Sequence, residues 1–211
     1  MDSPTRCDWV TSDPIYVAYH DQQWGVPELD DRRLFAKLML DGFQAGLSWL
    51  TILKKRAAFY AAFAEFEPAV LARWGEPEIQ CLLGNRGIVR NRAKIEATLN
   101  NARCFLRMFE AGESFSDLLW DIVDGQPQQH HYRSWREIPA ATDGSRAMAR
   151  ALRERGFRFC GPTICYAFMQ AVGMVNDHIV SCFRRAPVEQ LGQRLGAREV
   201  TTATGRGPHA G

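Results

Sequence analysis

The sequence predicts a compact all-α domain, and three observations lead to that prediction. Apolar residues recur at helical spacing along most of the 211 residues. The chain lacks alternating apolar and polar runs flanked by hairpin turns, and it lacks a repeat with a period of about 20–50 residues. With 46% apolar residues, it can bury a substantial core. We therefore expect one helical domain over residues 1–185, in which two helical lobes are possible.

The expected helices follow one another along the chain, and capping residues mark several of their ends. They are predicted at residues 31–41, 48–64, 89–111, 114–123, 143–156 and 162–173, with short helices starting near Pro68 and Pro77. The first places four apolar side chains on one face, namely Leu34, Phe35, Leu38 and Met39. Ser48 is the expected N-cap of the second, and Gly156 follows the end of the 143–156 helix.

Two segments lack a helical pattern. The N-terminal stretch that contains Cys7 and His20 is rich in aromatic residues and broken by proline, and we interpret it as irregular. The last segment, 186–211, is rich in Gly, Ala, Thr and Arg, and we expect it to be a disordered tail.

Composition excludes several classes of protein. The chain lacks a run of about 18 uncharged apolar residues, and residues 1–6 lack the apolar core of a signal peptide, so we expect a cytoplasmic protein with no membrane partner. The net charge of +2 does not demand nucleic acid, but it allows a local basic face. Six cysteines without CxxC spacing argue against a disulfide framework. Four of them are interpreted as small buried apolar residues: Cys81, Cys104, Cys160 and Cys165.

A zinc site is the hypothesis for the other two cysteines. His178 and Cys182 are four residues apart, so on a helix they would share one face. Cys7 and His20 would complete a set of four protein ligands, which leaves no position for water and makes the site structural. The alternative is that this spacing arises by chance. His130 and His131 are competing ligands, although their polar surroundings favour exposure to solvent.

The segment 156–178 is a candidate DNA-binding hairpin. A helix ends, Gly161 allows a tight turn, and a new helix begins at Pro162 and Thr163. The unpaired N–H groups of such a helix start can bind a phosphate, and Arg153, Arg155 and Arg158 precede it. An ordinary turn between two helices is the alternative.

Aromatic residues are concentrated in the N-terminal third: Trp9, Tyr16, Tyr19, Trp24, Phe43 and Trp49. Asp41 and the following GFQAGLSW lie among them. Together they could form a slot for a flat ring, because aromatic faces stack on cations and a carboxylate accepts N–H groups. The alternative is that the aromatics form core and that Asp41 is a cap.

Several strings resemble, in order, those of the DNA-3-methyladenine glycosylase I family. They are CDW at residues 7–9, YVAYHD at 16–21, WGVP at 24–27, GFQAGLSW at 42–49, TICYAFMQA at 163–171 and NDH at 176–178. The resemblance covers residues 5–183. It implies an all-helical fold of the helix-hairpin-helix glycosylase type and one structural zinc ion held by Cys7, His20, His178 and Cys182.

The resemblance also implies a pocket for a flipped 3-methyladenine. Tyr16, Tyr19 and Trp49 would line it, with Trp9 close by. The family usually has a glutamate at the position of Asp41, where it contacts the base edge. Asp41 keeps the charge on a side chain that is one methylene shorter.

The commoner members of the superfamily carry a catalytic aspartate two residues before a histidine, where this chain has Asn176. Asp177 is adjacent, but neighbouring side chains on a helix point about 100° apart. A cationic base leaves as a neutral molecule, so extrusion, selection and positioning are the expected tasks. We assign these tasks to Asp41, Tyr16 and Trp49 as catalytic residues. The residues expected at DNA are Gln44, Gly46, Leu47, Arg158, Gly161 and Thr163, with Leu47 as the wedge.

The hypothesis is therefore a monofunctional, monomeric enzyme of base-excision repair that acts on alkylated double-stranded DNA and releases free 3-methyladenine. No lysine is identified that could form a Schiff base, so strand cleavage is not expected. Two rival hypotheses stay open. One is a zinc-containing module that binds abasic or bent DNA without cutting a bond, and the other is a protein that binds free nucleobases.

Overall fold

The computed structural model describes residues 4–203, with side chains through residue 195. In that part of the chain, ten α-helices and one two-stranded parallel sheet are formed. The helices are α1 (Pro14–Gln22), α2 (Asp31–Gln44), α3 (Trp49–Ala62), α4 (Pro68–Leu71), α5 (Glu76–Gly84), α6 (Arg92–Glu110), α7 (Phe115–Trp120), α8 (Asp143–Glu154), α9 (Pro162–Ala171) and α10 (Arg185–Ala203). The strands are β1 (Gln128–Gln129) and β2 (Val175–Asn176). The predicted helical class is confirmed.

Side-chain caps fix most of the predicted helix starts. Ser48 Oγ accepts the backbone N–H of Thr51 at 3.2 Å, as expected for the start of α3. Asn91 and Ser114 cap α6 and α7 in the same way. Pro162 occupies the first turn of α9, where its missing N–H removes no helical hydrogen bond.

Helix α2 lies at the centre of the fold and packs against α3, α6, α7 and α9. Leu34, Phe35 and Leu38 are completely buried, which confirms the predicted apolar face. Because both faces of α2 contact other helices, the residues near its C-terminal end are held in a fixed place. Asp41 lies in that part of the helix.

The N-terminal segment is helical where we expected irregular chain. Asp13 Oδ1 accepts the N–H of Ile15 at 3.1 Å, and Pro14 occupies the first turn of α1. An aspartate directly before a proline is a helix start, and this signal was not recognised in the sequence. The helix gives Tyr16, Tyr19 and His20 a rigid support.

The segment from His178 to Cys182 is a turn and not the helix on which the two side chains would share one face. The N–H of Cys182 donates to the carbonyl of Ile179 at 2.8 Å. This tight turn brings the two side chains together as a helix would. The preceding β2 pairs with β1, with Gln128 opposite Val175 and Gln129 opposite Asn176.

The prediction of a disordered segment from residue 186 is wrong as far as Ala203, because α10 occupies that part. Val188 is buried and Leu195 packs against the core. With Leu191 they form an apolar stripe at helical spacing, which was overlooked among the polar residues. Residues 204–211 of the predicted tail lie outside the described residues.

Three of the four cysteines expected in the core, Cys104, Cys160 and Cys165, are buried, whereas Cys81 is exposed on α5. None of the helices described in residues 4–203 is both long and apolar enough to cross a bilayer.

Candidate active site and metal centre

A cavity of about 300 Å³ lies where α1, α2 and α3 meet. Its volume falls within the range of small-molecule sites. All five predicted base-binding residues line it, namely Trp9, Tyr16, Tyr19, Asp41 and Trp49. The sequence therefore identified residues that share one cavity, while Phe43 from the same stretch is buried in the core.

Asp41 brings a carboxylate into the cavity. Its side chain is 3% exposed, and Oδ1 pairs with the ammonium group of Lys37, one helical turn earlier on α2. Oδ2 has no hydrogen-bond partner among the described residues, so it is free to accept an N–H group of a ligand. Burial raises the pKa of Asp41, and the charge of Lys37 opposes that shift.

The aromatic walls are built by packing of ring against ring. Trp49, at the start of α3, lies 5.5 Å from the Tyr19 ring between centroids. Trp9 lies 4.9 Å from Tyr16 and 5.1 Å from Trp24. The indole N–H groups of Trp9 and Trp49 are buried without a partner among the described residues. Such donors fit a ligand that carries acceptors on its edge.

Lys37 and Trp135 are among the cavity residues that were missed in the sequence. Lys37 lines the cavity, and its Nζ lies 4.1 Å from the centre of the Trp49 ring. A lysine four residues before Asp41 is the signal that predicts this pair. Trp135 also lines the cavity, 6.0 Å from Trp9, because Asp8 holds its backbone N–H at 3.0 Å. No local pattern near residue 135 indicates that contact.

The predicted wedge lies at the tip of a tight turn after α2. Ala45 has φ −48° and ψ 117°, and Gly46 has φ +81°. These are the angles of a type II turn, which needs glycine at its third position. Leu47 is 40% exposed at the tip. Gln44 Nε2 donates to the carbonyl of Leu47 at 3.0 Å, so in the free protein this amide supports the turn.

Lys94 supports the same turn from α6. It is 8% exposed, and its Nζ donates to the carbonyls of Phe43 at 2.9 Å and of Ala45 at 2.5 Å. These carbonyls belong to the unpaired C-terminal end of α2. A lysine on the apolar face of a predicted helix is the signal that was overlooked.

The predicted hairpin connects α8 to α9 beside this turn. Arg158 and Thr163 are exposed, and Gly161 is the N-cap of α9. Asn101 on α6 holds the hairpin by two hydrogen bonds. Its Oδ1 accepts the backbone N–H of Arg158 at 2.8 Å, and its Nδ2 donates to the carbonyl of Arg158 at 2.9 Å. The carbonyl of Phe159 lies close to Gly42 on α2. Of the two other arginines, Arg155 pairs with Glu113 at 2.8 Å.

Asn176 and Asp177, which precede His178, make hydrogen bonds within the fold. The side chain of Asn176 is buried and donates to Gln129 Oε1 at 2.8 Å, next to the β1–β2 pair. Asp177 is also buried and accepts from Tyr166 and Gln170, each at 2.7 Å. Its other oxygen lies 2.6 Å from Nδ1 of His130. Neither residue lines the cavity.

The four predicted metal ligands form one buried cluster. Their ligand atoms all lie within 4.8 Å of one another, in Cys7, His20, His178 and Cys182. Cys182 Sγ lies 3.4 Å from both His20 Nε2 and His178 Nδ1, and Cys7 Sγ lies 3.5 Å from His178 Nδ1. Tetrahedral zinc with its usual bond lengths separates a sulfur from a nitrogen ligand by about 3.5 Å. The residues therefore fit a metal ion.

The second nitrogen of each histidine is oriented by an acceptor. Nδ1 of His20 lies 2.7 Å from Asp21, and Nε2 of His178 lies 3.2 Å from the carbonyl of Trp24. Such contacts turn the opposite nitrogens toward the cluster, as is usual for metal-ligating histidines. A hydrogen bond from Cys7 and bonds from both histidines lower the pKa of Cys182, so the cluster favours one thiolate.

Known proteins share this sequence and fold. The family model for methyladenine glycosylases matches residues 9–185. The chain is 50% identical over 177 residues to DNA-3-methyladenine glycosylase 1 of Escherichia coli K12, across 84% of this chain and 95% of that one. It is similar to a crystal structure of 3-methyladenine DNA glycosylase I, with 54% identity, a TM-score of 0.84 and coverage of 85% and 98%. A structure of the Staphylococcus aureus enzyme that addresses 3-methyladenine recognition is 36% identical, with a TM-score of 0.83 and coverage of 87% and 98%.

Proposed function

Since the chain belongs to the methyladenine glycosylase family, we propose that it releases 3-methyladenine from alkylated double-stranded DNA as a glycosylase of base-excision repair. One observation carries the assignment to this cavity. The buried carboxylate of Asp41 has one free oxygen inside an aromatic chamber. A cationic purine needs both an aromatic face and an acceptor for its amino group.

The base reaches this chamber by flipping out of the helix. Extrusion costs a few kcal/mol and is easier for a damaged pair. Leu47 fills the emptied stack, while Tyr16, Tyr19 and Trp49 enclose the base and Asp41 Oδ2 accepts its amino group. Arg158, the Gly161 turn and Thr163 bind the DNA backbone, where the start of α9 offers unpaired N–H groups. Gln44 and Gly46 hold the wedge turn against the DNA.

The reaction is a hydrolysis that leaves an abasic site. The bond between C1′ and the ring nitrogen breaks, and both electrons pass to the cationic base, which becomes neutral. The sugar carbon takes on oxocarbenium character and is attacked by water, which loses a proton to solvent. The cationic base already leaves readily, so a strong general acid is not needed. This is consistent with Asn176 lying outside the cavity.

We propose a monofunctional enzyme that releases the base without cleaving the DNA strand. A lysine does line the cavity, namely Lys37. Its amine is paired with Asp41 and lies over the Trp49 ring, both of which are proposed contacts of the base. It is therefore directed at the base end of the chamber and away from C1′.

We propose zinc as the ion held by Cys7, His20, His178 and Cys182. When bound, it supplies a structural crosslink between α1 and the turn before α10, with no position left for water. The two thiols, the two oriented imidazoles and the burial of all four residues support zinc. The protein acts on DNA as a monomer.

Base release tests the proposed function. The protein is incubated with methylated duplex DNA, and the free bases are separated by chromatography. Release of 3-methyladenine, with 7-methylguanine left in place, is expected, and Asp41→Glu is expected to keep this activity. Borohydride should trap no covalent complex, and sedimentation should give the mass of one chain. Duplex binding without release would favour the binding module. Lack of salt-dependent DNA affinity would favour a protein for free nucleobases.

A further inference from the structure

A partly buried cation lines the base chamber. Lys37 pairs with Asp41, and its Nζ lies 4.1 Å from the centre of the Trp49 ring. The Lys37 side chain is only 17% exposed. It thus occupies two features, the carboxylate and the ring face, that a cationic base would use. Neither sequence motif nor comparison assigned it a role.

The pair cancels the charge of the chamber. Among the described residues that line it, Lys37 and Asp41 are the two that carry a charge. With Asp41 alone, the chamber would attract a cationic base strongly, because the site is largely shielded from water. With Lys37 present, the net charge is close to zero. The free oxygen of Asp41 still offers a directional acceptor.

The contacts of the Lys37 ammonium group place its charge beside the proposed position of the base. The wedge turn follows Gln44, so the DNA backbone is expected at the C-terminal end of α2. The ammonium group of Lys37 instead contacts the Asp41 carboxylate and the Trp49 ring, which are both proposed contacts of the base. Lys37 is therefore nearer to the flipped base than to the sugar that remains attached to the DNA.

We propose that Lys37 determines the charge selectivity of the chamber by opposing the positive charge of the bound base and thereby favouring its release as a neutral molecule. This inference rests on the proposed function. As the C1′–N bond breaks, the base takes both bonding electrons and positive charge moves to the sugar. A fixed cation behind the base raises the energy of the bound cation more than that of the bond-breaking state. Lys37 thus weakens ground-state binding and speeds the chemical step.

The same charge suits a neutral ligand. A neutral base with the shape of 3-methyladenine does not meet this repulsion, and it can use the Asp41 oxygen and the aromatic walls alone. Asp41 alone would make the chamber bind cationic bases more tightly than neutral ones. We expect Lys37 to reduce this difference in affinity.

Two DNA duplexes, one with a cationic base and one with a neutral base, distinguish a charge effect of Lys37 from a packing effect. One carries 3-methyladenine, and the other carries 3-deaza-3-methyladenine, which has nearly the same shape but is neutral and is not hydrolysed. Single-turnover release gives the half-saturating enzyme concentration and the maximal rate for the first duplex, and direct titration gives the affinity for the second. Lys37→Met keeps the length of the side chain and removes its charge.

For Lys37→Met, we expect the half-saturating concentration for the cationic duplex to fall about tenfold, and the maximal rate to fall by a similar factor. Affinity for the neutral duplex should change less than about twofold, since no charge is opposed. Lys37→Arg retains a cation and should behave as the unaltered chain. Arg33→Met is the matched control, because Arg33 is one turn earlier on α2 and lines the neighbouring cavity of about 440 Å³ but not the base chamber.

The inference is overturned if Lys37→Met changes both affinities by the same factor, or if it weakens binding of the cationic duplex. An equal effect of Arg33→Met would also overturn it, since the effect would then not belong to this chamber. If the unaltered chain releases no 3-methyladenine, the proposed function itself fails. The base-release assay on the unaltered chain shows that outcome before any variant is made.

Discussion

Cys7 Sγ lies 3.5 Å from Nδ1 of His178, although 171 positions separate the two residues in the chain. The contact joins the N-terminal segment to the turn before α10. His20 belongs to the same cluster and follows Tyr19 directly on α1, and the Trp9 ring lies 5.4 Å from the His20 ring. The Cys/His cluster and the aromatic wall are therefore one structural unit, so loss of the proposed zinc should disturb the base chamber as well.

Substitution of a ligand tests this unit. In His178→Ala we expect loss of the bound metal and a fall in Tm of roughly 10 °C or more, since a closed four-ligand site stabilises the folded state. Metal content is measured by mass spectrometry and Tm by calorimetry. His131→Ala is the matched control, because His131 is exposed and lies outside the cluster. Purified unaltered protein without metal would contradict the assignment.

Trp49 provides the second prediction. Trp49→Ala removes the ring that lies beside both Tyr19 and Lys37. Stacking of a base on an aromatic ring contributes about 1–3 kcal/mol, so kcat/KM for base release should fall about 10- to 100-fold. Trp49→Phe should recover much of the loss. Circular dichroism should show that the fold is kept, and unchanged turnover would exclude a stacking role.

The parts of the fold that local patterns determine could be predicted from the sequence. Ser48, Ser114 and Gly156 mark helix ends by their own chemistry, and the structure has helix ends there. The apolar face of α2 was likewise visible from its spacing. The start of α1 was missed because residues 15–19 are apolar or aromatic at every position, so no helical periodicity accompanies the Asp13 cap. The helical part of the predicted tail was missed because three apolar residues are a weak signal among polar neighbours.

The candidate site required more than local patterns. The four residues of the candidate metal cluster were grouped by chemistry. A turn from His178 to Cys182 brings these two residues together, as a helix also would. Lys37 illustrates what sequence reasoning missed. A lysine on an amphipathic helix is usually solvated, and only the packing of α3 against α2 places its ammonium group over the Trp49 ring. The contact of Trp135 with Trp9 is similarly long-range.

Leu47 is the subject of the third prediction. It is 40% exposed at the tip of the turn, so Leu47→Ala should change the free energy of unfolding by no more than about 0.5 kcal/mol. Base release from duplex DNA should nevertheless slow, because an alanine fills less of the emptied stack. A lesion in single-stranded DNA should show a smaller effect. Leu29→Ala is the matched control, since Leu29 is 48% exposed near the opposite end of α2. Equal slowing in both variants would argue against a wedge.

The pH dependence of base release tests Asp41. Burial raises the pKa of this carboxyl group above its ordinary value of 3.8, with Lys37 opposing the shift. Activity needs the ionised form, so it should be present above the raised pKa and lost as the pH falls through it. The acid limb of kcat/KM should therefore lie above pH 3.8. The same shift means that the folded chain binds this proton more tightly than the unfolded chain. The contribution of Asp41 to the stability of the folded state therefore becomes less favourable as the pH rises through that range.

The groups that face Asp41 support this assignment of the acid limb. Burial raises the pKa of Tyr19 well above 10 and that of Cys165 to about 12, so both stay neutral across the range. Burial lowers the pKa of Lys37, but Asp41 favours its charged form. Metal content measured at each pH separates loss of the cluster from protonation of Asp41. In Asp41→Asn, activity should be low, and the residual rate should lack this limb. An unchanged limb in that variant, with metal retained, would assign the titration to another group.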